Sequence, residues 1–460
     1  MEFCGKKILV FGTGISGIGA ADLLTEQGAE VVLYDGNENV DKDGIRARLK
    51  APEKTELLLG ELEDAVLDTL DMAVLSPGVP TDLPIVLQMK EKSIPVIGEV
   101  ELAYQTGAGR VFAITGTNGK TTTTALLGQI MRDYYPEVYV VGNIGTPYTS
   151  VSAQMSEKAV TVAEISSFQL ETIRDFHPEV SAILNITEDH LNRHHTMEEY
   201  IRVKEMITEN QTKENTVVLN YEDQVLRKFG EKAPASVLFF SSRRSLSEGI
   251  CLENDEIVLR YHGETITVLN VHEQHLLGLH NYENIMAAVA MAYCAGVPMD
   301  SIRRSVKNFH AVEHRIEFVT EINGVAYYND SKGTNPDAAI KGIQAMNRPT
   351  LLIGGGYDKE SSYEEWIRAF DGKVRYLVLI GQTREKIADA ARACGFTDII
   401  MEENLEDAVA TCARLARPGD AVLLSPACAS WGQFPNYEVR GRMFKEYVRR
   451  MARGGFSIPF

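Results

Sequence analysis

The residues Thr115-Gly116-Thr117-Asn118-Gly119-Lys120-Thr121-Thr122 could hold the phosphates of a nucleotide. Gly116 and Gly119 let backbone N–H groups turn inward on an anion, and a helix start behind them adds partial positive charge. Lys120 would reach the β- and γ-phosphates, and the Thr121 hydroxyl would hold Mg²⁺. The usual G-x-x-x-x-G-K-[ST] pattern has a longer gap; here only Thr117 and Asn118 separate Gly116 from the Gly-Lys pair. The flanks supply the context. Val111 to Ile114 reads as a buried strand, and Ala125 to Met131 as a helix. Without them Gly-Lys-Thr would be an ordinary strand–helix turn with a surface lysine.

Other polar residues with chemical potential stand at the ends of apolar runs. Glu164 closes Ala159–Ala163. An acid there suits Mg²⁺ coordination beside a phosphate loop; otherwise it is a solvated or helix-capping glutamate. His190, in Asn185-Ile186-Thr187-Glu188-Asp189-His190, is a metal ligand or a capping residue. Lys204 lies in a helical stretch from Met197 to Glu209 among Glu198, Glu199, Glu205 and Glu209. It reads as a surface lysine, and these acids favour its ammonium form. Asn281 precedes a helix expected over Ile285–Cys294 and reads as a cap.

A second anion-binding pattern opens the chain. Gly12-Thr13-Gly14-Ile15-Ser16-Gly17 sits between a strand over Lys6–Phe11 and a helix over Ile18–Gln27. A further strand, Glu30–Tyr34, ends in Asp35. This is nearly the full dinucleotide fingerprint. It suits a nicotinamide cofactor, or the diphosphate of a nucleotide-sugar. Met72–Leu75 is a strand closed by Ser76-Pro77-Gly78-Val79-Pro80, a loop placed where open α/β sheets bind ligands.

The elements that must position these groups follow from periodicity. Strands are expected at Tyr139–Val141, Val180–Leu184, Thr350–Ile353, Tyr376–Gly381 and Ala421–Leu424. A strand pair from Phe318 to Tyr328 turns at Asn323-Gly324. Strands alternating with helices predict an α/β fold with mainly parallel sheets. Three domains are expected, over residues 1–97, 98–311 and 312–460, with polar strand ends sharing one cleft. The net charge of −18 and the lack of a basic run disfavour nucleic acid as a partner. Six cysteines without C-x-x-C spacing read as reduced thiols of a cytosolic protein. No apolar run reaches the ~18 residues of a membrane span, and Met1–Val10 lacks a signal-peptide core, so a soluble, cytoplasmic chain is expected.

Seven strings occur in an order that resembles the Mur ligases: Thr115–Thr123, Glu164–Leu170, Asn185–His190, His280–Asn284, His314-Arg315, Asn329–Asn335 and Ser425–Phe434. The resemblance covers the whole chain. It implies a Rossmann-like N-terminal domain, a P-loop ATPase-like central domain and a Rossmann-like C-terminal domain. It also implies a cytoplasmic ATP-dependent amide ligase of peptidoglycan synthesis, working as a monomer on small-molecule substrates, with no membrane partner. Glu-Ile-Ser-Ser-Phe-Gln-Leu, Asn-Asp-Ser-Lys and Ser-Pro-Ala-Cys-Ala-Ser look like the glutamate-adding branch, which implies UDP-N-acetylmuramoyl-L-alanine and D-glutamate as substrates. The N-terminal fingerprint would then hold uridine diphosphate rather than a nicotinamide.

Position by position, the resemblance implies that Gly116, Thr117, Asn118, Gly119, Lys120, Thr121 and Thr122 bind ATP, with Asn281, His314, Arg315 and Asp330. Thr121 and Glu164 would serve one Mg²⁺, and His190 with a carbamylated Lys204 a second. Lys332 would lie near the transferred phosphoryl group. Gly14, Ile15, Asp35, Gly78 and Asn143 would contact the nucleotide-sugar, and Thr334, Lys359, Ser430 and Tyr437 the D-glutamate. The chain departs from the family at Gly333, a frequent alanine, at Trp431-Gly432, which lacks a common acid, and in the longer Gly354–Lys359 loop. A nucleotide-binding regulator without turnover would be expected to have lost catalytic positions; here each is filled.

Overall fold

Short runs of valine, isoleucine and leucine, apolar on both faces, fold as strands that helices cover on either side. In the computed structural model, which describes residues 3–143, 146–310 and 312–453, such strands build three sheets. Ala311, at the expected end of the central segment, lies outside the described residues.

The first sheet has five parallel strands in the order Thr55–Leu59, Glu30–Asp35, Lys7–Phe11, Met72–Leu75 and Val96–Gly98. The second has nine strands. At its heart Arg110–Thr115 runs parallel between Val160–Glu164 and Val180–Ile183. The register pairs Ile114 with Glu164 and Thr115 with Ile183. The phosphate loop, the Glu164 string and the segment leading to His190 therefore leave the sheet side by side.

One edge of this sheet is not parallel. Gly249–Glu253, Glu256–Tyr261 and Glu264–Asn270 form an antiparallel ribbon. Its hairpins turn through positive φ at Asn254 and Asp255, and at His262 and Gly263, the backbone that matches the right-handed twist of the strands. The third sheet has six strands. Glu317–Ile322 and Val325–Asn329 pair antiparallel through the expected Asn323-Gly324 turn, and the remaining pairs are parallel.

Several expected bounds shift. The first helix begins at Ile15, and the helix expected from Ile285 begins at Leu279. Met197–Glu205 is α-helical, but the continuation Met206–Thr208 is a 3₁₀ turn. No helix among the described residues is long and apolar enough to cross a membrane.

The chain forms two compact units: Met1–Val271 with Glu283–Val306, and His272–Tyr282 with Lys307–Phe460. Within the first unit the helix Glu99–Thr106 serves two cores. Leu102 packs with the first sheet, while Val100 and Ala103 pack with the second. Fully buried Glu101 accepts from the backbone N–H groups of Arg174, Asp175 and Phe176 at 2.8–3.0 Å. Removing that carboxylate strands the buried N–H of Phe176 and the part-buried ones of Arg174 and Asp175, and a buried donor is expensive to leave unpaired. Glu101→Ala is expected to destabilise the first unit by on the order of 3 kcal/mol, read as a lower urea midpoint at unchanged slope.

Candidate active site

The phosphate loop bends where glycine permits it. Gly116 has φ 147° and Gly119 φ 87°, the latter as N-cap of the helix Lys120–Arg132. A Cβ on Gly119 would stand 2.3 Å from Asn284 Oδ1, so alanine there would displace the Asn284 amide as well as strain the backbone. Asn118 and Asn185 lock the loop reciprocally: Asn118 N–H donates to Asn185 Oδ1 at 2.8 Å, and Asn185 Nδ2 returns a bond to the Asn118 carbonyl at 3.0 Å. The Lys120 ammonium donates to the carbonyls of Gly116 at 2.7 Å and Thr117 at 2.9 Å. Thr122 is buried behind the loop, and Thr121 is half-buried at the helix start.

Lys204 is no surface lysine. It is 1% exposed, and its ammonium donates to the same Gly116 carbonyl at 3.0 Å, over the Tyr200 ring at 4.8 Å. The neighbouring glutamates therefore do not hold it charged. Burial, then the Lys120 charge, push its pKa down to about 7, against a weaker opposing pull from Asp189.

Glu164 is neither solvated nor a cap. It is 2% exposed. Asn143 Nδ2 donates to its Oε1 at 2.8 Å, and Oε2 is buried without a hydrogen-bond partner. His190 occupies the N-cap position of the helix Leu191–His194 with φ 53°, yet makes no side-chain capping bond. Its ring lies 4.9 Å from Phe168 and its Nε2 3.5 Å from Asp189.

The N-terminal fingerprint folds as expected. A Cβ on Gly17 would stand 1.7 Å from the Gly12 carbonyl, which fixes glycine at that helix–strand contact. Asp35 Oδ2 accepts from Thr13 N and Oγ1 at 3.2 and 2.7 Å. Gly14 caps the helix without a side-chain bond; Ile15, 72% exposed, and Gly78 face open space.

In the second unit, Asn281 lies inside the helix from Leu279 rather than capping it, and donates from Nδ2 to the Leu277 carbonyl at 2.7 Å. His314, at φ 67°, is buried; its Nδ1 contacts Asn329 Nδ2 at 2.9 Å and its Nε2 has no hydrogen-bond partner. Arg315 likewise has a buried, unpartnered Nε. Burial pushes Asp330 up to about 7, opposed by the Ser425 hydroxyl it accepts at 2.7 Å and by Arg315 and Arg440. Lys332 and Tyr437 meet, ammonium over ring at 5.8 Å. Lys359 lies 5.3 Å over Trp431, next to buried Ser430. Thr334 follows in the Lys332 turn, its N–H on the Lys332 carbonyl. Arg440, 1% exposed, ties these loops: it donates to Ser331 Oγ and to the carbonyls of Ser331 and Cys428 at 2.9–3.2 Å. The cluster Glu313-His314-Glu317 has ligand-like spacing, but Lys445 already bonds both glutamates, at 2.6 and 2.8 Å.

Residues 6–98 match the family described as Mur ligase MurD-like, N-terminal domain; residues 114–292 match Mur ligase middle domain, and residues 314–428 Mur ligase, glutamate ligase domain. A protein of Lachnoclostridium phytofermentans named UDP-N-acetylmuramoylalanine--D-glutamate ligase is 56% identical over 98% of this chain and 99% of its own. The chain belongs to the Mur ligase family. A relative of the same name from Lachnospira eligens is 55% identical over 98% of this Mur ligase and the whole of its own length. The solved MurF ligase of Thermotoga maritima in complex with ADP shares the fold, with TM-score 0.58 and 17% identity over 98% of this chain and 97% of that one.

Sequence patterns missed several residues of this Mur ligase site. Tyr200 packs on Lys204 and shares a hydrogen bond with Thr117 Oγ1 at 3.1 Å. Arg440 reads in sequence as one more basic residue of the helix Tyr437–Ala452. Neither has a local signal, because each acts across a tertiary contact. The orphaned Oε2 of Glu164 suits a hard cation, which prefers carboxylate oxygen.

Folding leaves the Lys204 amine less basic than in the unfolded chain. Between pH about 7 and its ordinary 10.5 the unfolded chain binds the extra proton, so raising pH across that window favours the folded state. Urea titrations of parent and Lys204→Met should show the parent gaining stability relative to the variant from pH 7 to 9.

Proposed function

We propose that this Mur ligase joins D-glutamate to UDP-N-acetylmuramoyl-L-alanine with cleavage of ATP, in cytoplasmic peptidoglycan precursor synthesis. The observation that carries the reading is end-to-end identity of 55–56% to two proteins bearing that name. In this reading residues 1–97 hold the nucleotide-sugar, 98–311 the ATP and 312–460 the D-glutamate.

The chemistry follows from the substrates. A carboxylate is a poor electrophile because oxide is a poor leaving group. Transfer of the γ-phosphoryl group of ATP turns it into an acyl phosphate. The D-glutamate amine then attacks the carbonyl carbon, and phosphate leaves. Bringing a carboxylate to a triphosphate sets like charges together, so cations must be fixed around them beforehand. In this reading Lys120 of the loop and Lys332 after Asp330 supply such cations. Bound Mg²⁺ would supply further charge neutralisation; Thr121 and Glu164 would hold one ion, and His190 with Lys204 a second. An ammonium cannot ligate a cation, but the neutral Lys204 amine can add CO₂ to become a carbamate with two oxygens. Its pKa of about 7 supports this, since a large share of the amine is then neutral at physiological pH. Gly14, Ile15, Asp35, Gly78 and Asn143 serve the nucleotide-sugar; Asn281, His314, Arg315 and Asp330 serve ATP. Two carboxylates on D-glutamate call for Lys359 and the hydroxyls of Thr334, Ser430 and Tyr437.

Phosphate release from ATP should require the alanyl nucleotide-sugar and D-glutamate together; equal release with L-glutamate or L-lysine would refute the choice of amino acid. Lys120→Ala should lower kcat by on the order of 10³-fold while the protein stays folded. Lys204→Ala should bind ATP yet be nearly inactive, and formate should restore part of its activity by standing in for the carbamate.

A further inference from the structure

Arg193 belongs to the short helix Leu191–His194 that follows His190. Its Nε lies 3.2 Å from both Glu171 oxygens, and its Nη2 donates to Glu171 Oε2 at 2.6 Å. The same Nη2 donates to the Val79 carbonyl at 2.9 Å. Both side chains of the pair are only 10% exposed. The guanidinium also lies 5.1 Å over the Phe168 ring, whose centroid is 4.9 Å from that of His190. Glu171 is shared: its Oε1 lies 3.3 Å from His194 Nδ1, and His194 Nε2 meets Ser167 Oγ at 3.0 Å.

One side chain thus joins three segments of the first unit: the Ser76–Pro80 loop, the turn after Glu164 and the helix that carries His190. His190 holds a left-handed backbone, which a non-glycine residue keeps only when its surroundings over-determine it. The N–H groups of Arg193 and His194 both donate to the His190 carbonyl, at 2.9 and 3.1 Å. Fixing Arg193 and His194 from the side therefore fixes His190. A guanidinium fork on a largely buried carboxylate is a strong link of fixed geometry. The carbonyl on its far side belongs to Val79, the residue after Gly78.

We propose that Arg193 is a positioning residue that couples seating of the nucleotide-sugar at the Gly78–Val79 loop to cation affinity at His190. The inference rests on the roles given above to Gly78 and His190. Coupling of this kind is reciprocal: the nucleotide-sugar tightens the cation by the factor with which the cation tightens the nucleotide-sugar. Partners that orient a ligand residue from behind commonly change metal affinity about 10–100-fold when removed.

The test measures free Mn²⁺ by EPR over a titration of ATP-free enzyme, with and without UDP-N-acetylmuramoyl-L-alanine, alongside calorimetric titration of the nucleotide-sugar. Arg193→Met should bind Mn²⁺ more weakly by about 10-fold or more and lose the tightening by nucleotide-sugar, while still unfolding cooperatively at a lowered Tm. Arg193→Lys keeps the charge but not the fork, and should remain uncoupled. Glu171→Gln, which keeps the side-chain size, should weaken the coupling too, and decides the matter if Arg193→Met fails to fold. Coupling retained in these variants overturns the proposal, as does a fall in Tm with coupling intact. His190→Ala separates the two levels. Unchanged Mn²⁺ affinity there overturns the metal role of His190 and this coupling with it; a fall there, with none in Arg193→Met, overturns the coupling alone.

Discussion

Two lysine ammoniums directed at one carbonyl oxygen set the terms for the first unit. Gly116 presents that oxygen to Lys120 and Lys204. Two like charges sharing one acceptor repel, and the repulsion grows as water is excluded. The more deeply buried amine gives way, so burial and Lys120 together bring Lys204 close to neutrality. Around this pair the remaining parts fall into order. Tyr200 covers Lys204, Thr117 ties Tyr200 to the loop, and the Asn118–Asn185 exchange holds the loop to the strand beside it.

The second unit meets a related problem differently. Arg440 is buried and finds only a hydroxyl and carbonyls within hydrogen-bond reach, so its charge stays diffuse over neutral dipoles and its pKa is pushed down to about 10. In return it binds the Asn329–Asn335 and Ser425–Phe434 strings together. The Gly354–Lys359 loop joins them through backbone bonds, Gly355 N–H to Pro426 and Tyr357 N–H to Ala429. Asp330, brought to about 7 by burial, sits in the same cluster. In both units titratable groups come near neutral pH through loss of solvent, the usual state of groups at working sites.

Much of this was legible in the sequence. Strand ends carry the polar strings because parallel sheets expose their carboxyl edges, and glycines mark the turns that admit phosphate; both are local rules. The burial of Lys204 was not legible, since four glutamates on its own stretch describe a solvated face while Val203 and Tyr200 turn that helix inward. The antiparallel ribbon escaped for a different reason: no helices separate its strands, so alternation has nothing to count. Glu171, Arg193 and Val79 stand far apart in the chain, and nothing in their spacing brings them together. The start of the helix at Leu279 was obscured by His280 and Asn281, which usually lie before a helix rather than in it.

The helix that carries Glu101 gives the boundary near residue 97 a particular meaning. The Glu101 carboxylate accepts from the backbone at Arg174–Phe176, on the same side of that boundary. Gln169 reaches back to Glu99, two residues earlier, at 2.7 Å. What crosses the seam at which sequence families change is the Leu102 side chain, seated in the core of the first sheet, and the N–H of Gly98, which donates to the Thr172 carbonyl at 3.1 Å. A protease would find no exposed hinge at the buried stretch Ile97–Val100, and a fragment cut there would keep the Glu101 bonds but leave Leu102 without the core it packs into. The first two sheets belong to one compact unit, although the sequence families divide between them.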